Sequence, residues 1–315
     1  MADDTAEPER TPAQLATLER LGARPDDRPT FASDLRDRLR ADLEGQLQGP
    51  LTVVPDGTRV FVKKHDLATV HQCEARWQAD DLDETFEPSV PVIAGVVAHK
   101  AIELTLNRRS PSTPPELVDA ALDRLTDSDR WAGEWLARCD EDDRAEVRSA
   151  AVARVSSFGD VFPPLKAAWH PVTEQSLRAE LAGDRVVLQG KVDLVVGRTE
   201  GTRAGKVIVD FKTGNRVAHH ADDLRFYALI ETLRTGVPPR ALATAYLDSG
   251  RLQVESVTEA VLDAAVARTA DGVERIVAIR HAGDEAARRP SAVCSWCRAL
   301  DACAEGQAHL EDQDP

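Results

Sequence analysis

Residues 207–214, Val-Ile-Val-Asp-Phe-Lys-Thr-Gly, read as a strand that ends in an acid and a lysine, and this narrows the folds open to the chain. By the two-residue period of a strand, Val207, Val209 and Phe211 share one face, and Ile208, Asp210 and Lys212 the other. Asp210 and Lys212 therefore project side by side, about 6–7 Å apart along the strand. Thr213-Gly214 then closes the strand with a turn signal. A carboxylate and an ammonium so placed are costly to bury unless they pair with each other or with a metal ion.

A second apolar run, Val186–Val196, carries one acid, Asp193. The short Gly-Thr-Arg-Ala-Gly segment at 201–205 between the runs suits an antiparallel hairpin. Such a hairpin brings Asp193 and Asp210 into one neighbourhood, where two acids can share a cation. The plain alternative is a pair of acids that cap turns or pair with arginines.

Composition sets limits on function. A chain of 315 residues with 42% apolar content can fill one large domain or two small ones. No apolar run approaches the eighteen or so residues of a membrane span, and the first residues are acidic and polar, unlike a signal peptide, so a cytoplasmic location is expected. Five cysteines then suggest metal or cofactor ligation before disulfides. Lysine is scarce, 7 residues against 32 arginines, which makes Lys191 and Lys212 conspicuous.

The net charge of −15 argues against a polyanionic partner until its distribution is considered. Residues 1–50, 80–87, 119–146 and 304–315 together carry −19, leaving +4 on the remainder, which includes the proposed site. A nucleic acid can approach that remainder.

In chain order, 1–30 is a flexible, acidic, proline-containing stretch with a short helical pattern at 15–21. Residues 31–65 predict a helix to about 47 and a hairpin of strands 51–54 and 59–63 around Pro55-Asp56-Gly57. A helix at 66–79 contains Cys73, and an acidic loop follows at 80–91. The helix at 92–107 carries His99 and Glu103 on one face; a lone buried histidine is more often a core residue than a ligand. Helices at 115–126 and 128–158 follow, the second carrying Cys139, a core or surface thiol. Strands are expected at 172–181, 185–197 and 206–212, a helix at 222–235, strands at 241–248 and 252–257, and a long helix at 259–282. Helices on a mixed sheet give an α/β architecture.

The carboxy-terminal Cys294-x2-Cys297-x5-Cys303 can converge on one metal centre, though a closed site usually needs a fourth ligand, for which Cys73 and Cys139 are available. Softness and spacing admit zinc or iron–sulfur; free structural cysteines are the plain alternative.

Asp193 in Gly190-Lys-Val-Asp, Asp210-Phe-Lys212, Gly95-Val-Val-Ala-His99 and the terminal cysteines together resemble a RecB-type nuclease of the PD-(D/E)XK superfamily, in its iron–sulfur branch. The resemblance covers 66–306, with a helical insertion at about 108–160 and an acidic tail at 307–315. It implies a restriction-endonuclease-like mixed sheet flanked by helices, with a helical amino-terminal part and a cysteine-rich carboxy-terminal staple. It further implies that His99, Asp193, Asp210 and the Phe211 carbonyl bind Mg²⁺ or Mn²⁺, and that Lys212 orients or activates the attacking water. Cys73, Cys294, Cys297 and Cys303 would hold a 4Fe-4S cluster, zinc being the alternative, with Cys139 left out. The Gln-Leu-x-x-Tyr pattern expected after the lysine strand is here Asp223-Leu-Arg-Phe-Tyr227, so Tyr227 fits and Asp223 replaces the glutamine; Glu74 stands after Cys73 where proline is usual. Glu174 is an accessory acid or a solvated strand residue.

The implied activity is a metal-dependent DNA exonuclease acting on single strands or duplex ends, in repair or recombination, leaving 5′-phosphates. Rivals are a degenerate nuclease fold that grips DNA or a helicase, and a zinc-stapled adaptor. No Gly-x-x-x-x-Gly-Lys-Ser/Thr motif is present, so unwinding would come from a helicase or repair partner.

Overall fold

A computed structural model describes residues 9–82, 88–107, 112–128, 130–217 and 219–312, and places the expected run Val186–Val196 (β3) at the centre of a six-stranded mixed sheet. One edge of β3 is taken along its length by antiparallel β2 (Val172–Leu181). The other edge is shared end to end by two short strands. β1 (Val60–Val62) runs parallel against Val186, Val187 and Leu188, and β4 (Val207–Lys212) runs antiparallel against Leu194, Val195 and Val196. The carboxy-terminal ends of β1 and β4 therefore point at each other across the middle of β3. β5 (Ala241–Tyr246) pairs parallel with β4, and β6 (Arg251–Ser256) antiparallel with β5.

Helices cover both faces. α2 (Leu35–Leu47), α3 (Lys64–Gln72), α9 (His219–Thr235) and α10 (Glu259–Val277) bury their apolar stripes with Val186, Leu188, Ile208 and Leu242 in one core. α5 (Val90–Asn107), α6 (Pro114–Ser128), α7 (Arg130–Arg138) and α8 (Glu141–Val161) form the second core with Val207, Val209, Phe211 and Ala243. The two faces of β4 divide as its alternation predicts, Ile208 in one core and Val207, Val209 and Phe211 in the other. On α2, Leu35, Leu39, Leu43 and Leu47 recur every four residues and none is more than 1% exposed. Each contributes about 2 kcal/mol of burial, so Leu39→Ala would leave a cavity costing about 2–5 kcal/mol.

Several boundaries differ from expectation. The Pro55-Asp56-Gly57 turn forms, with Gly57 in the left-handed region at φ 76°, but no hairpin does. Residues 50–53 make a 3₁₀ turn begun by Pro50, and β1 takes its partner from β3, more than a hundred residues away. Arg185 caps the carbonyls of Leu51 and Val54, at 2.8 and 2.9 Å, which holds the turn against β3. The single helix expected at 66–79 is broken at Cys73, extended at φ −160°, into α3 and α4 (Glu74–Leu82). The helix expected at 128–158 is divided at Asp140, whose carboxylate caps α8 by accepting from the Asp143 amide at 2.8 Å. Glu141, Asp142 and Asp143 in that first turn favour the helix dipole.

The acidic loop expected at 80–91 is narrower, because α4 runs through Leu82 and α5 starts at Val90; its residues 83–87 lie outside the described residues, as do 1–8, 108–111 and 313–315 of the expected amino-terminal stretch, insertion and tail. Within the amino-terminal stretch, α1 (Pro12–Leu21) opens with a Thr11–Gln14 capping box, and both side chains also donate to carbonyls of 159–162 at the end of α8. α11 (Ala304–Glu311) follows the last cysteine. No helix of the described residues is long and apolar enough to cross a membrane.

Candidate active site

The meeting point of β1 and β4 gathers four charged side chains. Asp210, 1% exposed, accepts a hydrogen bond from Lys64 at 2.9 Å, and its other oxygen lies 2.9 Å from the Lys212 ammonium. That second oxygen, Oδ2, has no hydrogen bond of good geometry. Lys212 donates to Asp223 of α9 at 3.0 Å, and Lys64 lies 3.9 Å from the same carboxylate. Burial would raise the Asp210 pKa, but Lys64 and Lys212 outweigh it and hold the group below the usual carboxylate range. Burial likewise opposes charge on Lys64, yet Asp210, Tyr227, Asp223 and Asp193 hold its pKa well above the ordinary value. The network is thus two carboxylates neutralised by two ammonium groups.

Lys64 owes its place to the chain path: it is the first residue of α3, two positions beyond β1, and β1 ends facing Asp210. Tyr227 of α9 lies over the gap between the strands. A Cβ on Gly190 would sit 2.3 Å from its ring, so only glycine lets the ring rest on β3. The Lys64 ammonium lies 5.0 Å from the ring centroid, and burial, first of several causes, pushes the phenol up to about 12.

A second group lies beside the first, on β3. Asp193, one residue beyond the Leu194–Val209 rung, accepts from the Phe211 amide at 2.6 Å and so ties β3 to the end of β4. Its other oxygen is 3.3 Å from His99 Nδ1 of α5. His99, Glu174 and Asp193 each offer a ligand atom within 4.8 Å of the others, a spacing that suits one metal ion. Burial works against a charged His99, but Asp193 outweighs it, so its pKa is raised. Glu174 stands opposite Asp193 on β2 and has φ 54°, a left-handed conformation that costs a non-glycine residue about 1–2 kcal/mol. Its carboxylate is also held by Lys191. The Phe211 ring packs edge-on against His99, with centroids 5.9 Å apart, walling this group on the side of α8.

Of the residues named from sequence, His99, Glu174 and Asp193 come together as one set, while Asp210 and Lys212 form another with Asp223 and Tyr227. Lys64 was not foreseen. Lysine scarcity is the one signal in the sequence that could have drawn attention to it.

At the other end of the chain, Cys73, Cys294, Cys297 and Cys303 line one small cavity. The break between α3 and α4 exposes Cys73 to the returning chain: Arg289 N–H points at its sulfur at 3.5 Å, and Glu74 accepts from the Ala287 amide and from Arg275. Ser291 and Gly306 amides point at the sulfurs of Cys294 and Cys303, at 3.4 and 3.3 Å. A Cβ on Gly306 would lie 3.3 Å from Cys303 Sγ and 3.6 Å from Cys294 Sγ, so glycine keeps this space open. Cys297 is raised by burial and then by the neighbouring Cys73 and Cys294. Cys139 lies elsewhere, at the end of α7, bonded to the Leu136 carbonyl.

A mixed sheet between helical layers, with an Asp-x-Lys strand at its centre, defines a restriction-endonuclease-like protein. The family model of the PD-(D/E)XK nuclease superfamily matches residues 65–304, and the chain belongs to that superfamily. Lys64 falls just outside the matched span. Two solved structures are similar at 14% sequence identity: SSO0001, with a TM-score of 0.37 over 84% of this chain and 94% of that one, and a candidate exonuclease from Eubacterium rectale, with a TM-score of 0.43 over 77% and 87%. A search of the curated proteins found no match.

Proposed function

We propose that the protein is a divalent-metal-dependent DNA exonuclease of the RecB-type, iron–sulfur branch, acting on single strands or duplex ends in repair or recombination alongside a helicase or repair partner. The observation that carries this reading is the convergence of His99, Glu174 and Asp193 beside the Asp210–Lys212 pair. One imidazole and hard carboxylates suit Mn²⁺ or Mg²⁺. Asp210 Oδ2, buried and without a hydrogen bond, is a further donor, and the resemblance adds the Phe211 carbonyl.

A bound ion neutralises charge on the scissile phosphate and lowers the pKa of its water. The chain's own residues supply the rest. Lys212, fixed between Asp210 and Asp223, orients the attacking water and faces the negative charge that develops on the phosphoryl oxygens. Asp193 holds the end of β4 in place through the Phe211 amide while turning its other oxygen toward His99. Lys64 offsets the carboxylate that Asp223 adds where a neutral glutamine is expected.

The four thiols around the carboxy-terminal cavity, with amides aimed at three of the sulfurs, support a thiolate-bound centre: a 4Fe-4S cluster by the resemblance, with zinc as the alternative.

One observation favours a rival, a module that grips DNA without cutting: Asp210 is already neutralised by two ammonium groups. Cleavage of end-labelled single-stranded and duplex DNA by anaerobically purified protein separates the two readings, with Mg²⁺, Mn²⁺ or EDTA and with Asp210→Ala and Lys212→Ala. Metal-dependent cutting that both substitutions abolish supports the nuclease. DNA binding without cutting by folded wild type supports the module.

A further inference from the structure

The start of β4, three residues and so about 10 Å from Asp210, borders a cavity that the nuclease reading does not use. Its volume is about 380 Å³, at the small end of ligand pockets. The hairpin loop after β3 forms one wall, and the segment after α1 forms the other, tied to that loop by Ala204 N–H to Pro29 O at 2.8 Å and Phe31 N–H to Thr202 O at 3.1 Å. Gly205 is required here, because a Cβ would meet the Arg198 carbonyl at 1.9 Å and Arg28 Nη1 at 3.2 Å.

Three arginines line this cavity, and among the described residues two of them, Arg28 and Arg240, make no ion pair. Arg28 and Arg240 each bury an Nε that has no hydrogen-bond partner. Arg240 also donates to the Leu21 carbonyl, which fixes its head against the wall. The one carboxylate among the lining residues, Glu200, lies 3.8 Å from Arg198. Burial and then the charge of Arg28 push Arg240 below the ordinary arginine value, as two uncompensated cations must. Buried donors left unpaired and like charges left facing are each costly, and an anion relieves both at once. Trp169, Phe162, Leu165 and Leu18 give the cavity an apolar and aromatic side, with His170 and Thr17 as further polar lining.

We propose that this cavity binds a nucleoside monophosphate, its phosphate held by Arg28 and Arg240 and its planar base lodged among Trp169 and the neighbouring apolar side chains. Two guanidinium groups match the bidentate geometry and charge of a phosphate monoester, and the volume admits one nucleotide rather than a strand. The site goes beyond the proposed activity. Its choice of a nucleotide over other phosphate esters rests on the nuclease reading, whereas the anion site does not.

Trp169 supplies the test. Tryptophan fluorescence of the full-length protein is titrated with dAMP, deoxyadenosine or inorganic phosphate, in wild type, Trp169→Phe, Arg28→Gln, Arg240→Gln and Asp210→Ala, with calorimetry as the second readout. Saturable dAMP binding is expected in wild type and equally in Asp210→Ala, with the fluorescence change lost in Trp169→Phe. Each arginine substitution should weaken binding about tenfold or more, and deoxyadenosine should bind at least as weakly. Among the described residues Arg28→Gln removes no side-chain hydrogen bond, so its folding is a fair reference should Arg240→Gln unfold. No saturable binding to wild type, or binding unchanged in Arg28→Gln, or binding lost in Asp210→Ala, would overturn the proposal. Phosphate binding as tight as dAMP binding would overturn the nucleotide assignment. Because Asp210→Ala is inactive on the nuclease reading, failure of that reading leaves these results unaffected.

Discussion

Strand β4 buries five of its six residues between two helical layers, whereas between 287 and 303 no residue is buried at all. The first region is positioned by backbone pairing on both edges and apolar packing on both faces. Its charged residues hold their places because the sheet does. The second region is a succession of 3₁₀ turns joined by short extended pieces, and its contacts with α3 and α4 are a handful of polar ones around Cys73 and Glu74. A segment with so little apolar burial needs a cross-link to stay docked, and four thiols facing one cavity offer it. On the proposed reading the difference teaches that catalysis and attachment are separate problems: one is left to the sheet, the other to sulfur.

That contrast can be broken most severely at the sheet. Asp193→Ala removes both the tie to the Phe211 amide and a proposed ligand beside His99, and should lower the cleavage rate by about 10³-fold or more with little change in far-ultraviolet circular dichroism. Cys303→Ser attacks the other region. Loss of a cross-link spanning a long loop should cost about 2–5 kcal/mol, measured by thermal or urea unfolding. Limited proteolysis should then cut within 283–303 before it cuts the sheet. Simultaneous loss of sheet and terminal segment would instead join the two regions into one cooperative unit.

The Lys64–Asp223 pair sharpens the account of the sheet end. Lys64→Met should slow cleavage about 10–100-fold, and Asp223→Gln in the same chain should recover part of the loss, since it removes the charge that Lys64 offsets. Purely additive losses would mean the two do not act on one another. The smallest effect concerns His220, at the start of α9. Burial, then Lys212 and His219, push its pKa to about 4, against about 6.5 in the unfolded chain. Between those values the unfolded chain binds more protons, so this contribution to stability is present above about pH 6.5 and is lost as pH falls toward about 4. His220→Gln should flatten that slope in denaturant titrations by about 1 kcal/mol, a figure reduced for the residue's partial exposure.

Most of the sheet was legible in the sequence because β3, β4 and β5 are apolar runs bounded by turn residues, β4 with its two faces in alternation. The opposition of Asp193 and Asp210 followed from one short loop. Spacing singled out Cys294, Cys297 and Cys303, whereas Cys73, which lines the same cavity, was set apart from Cys139 only by the family resemblance. What escaped reading was whatever depended on distant partners. β1 has three residues and a parallel partner in β3, so local sequence pointed to a hairpin instead. Lys64 sits beside Asp210 only because β1 and β4 abut along one edge of β3, a relation that no local pattern encodes. The break at Cys73 is likewise fixed through Glu74, whose partners Arg275 and Ala287 lie more than two hundred residues on. Glu174 was ambiguous because its left-handed backbone, invisible in sequence, decides where its carboxylate points.

Calorimetric titration of Mn²⁺ into wild type and Asp193→Ala tests the central claim most directly, that the end of the sheet is a metal site formed by His99, Glu174 and Asp193. The account predicts saturable binding to wild type and at least about tenfold weaker binding to the variant. Equal affinity in the two proteins, or no binding to folded wild type, would contradict it.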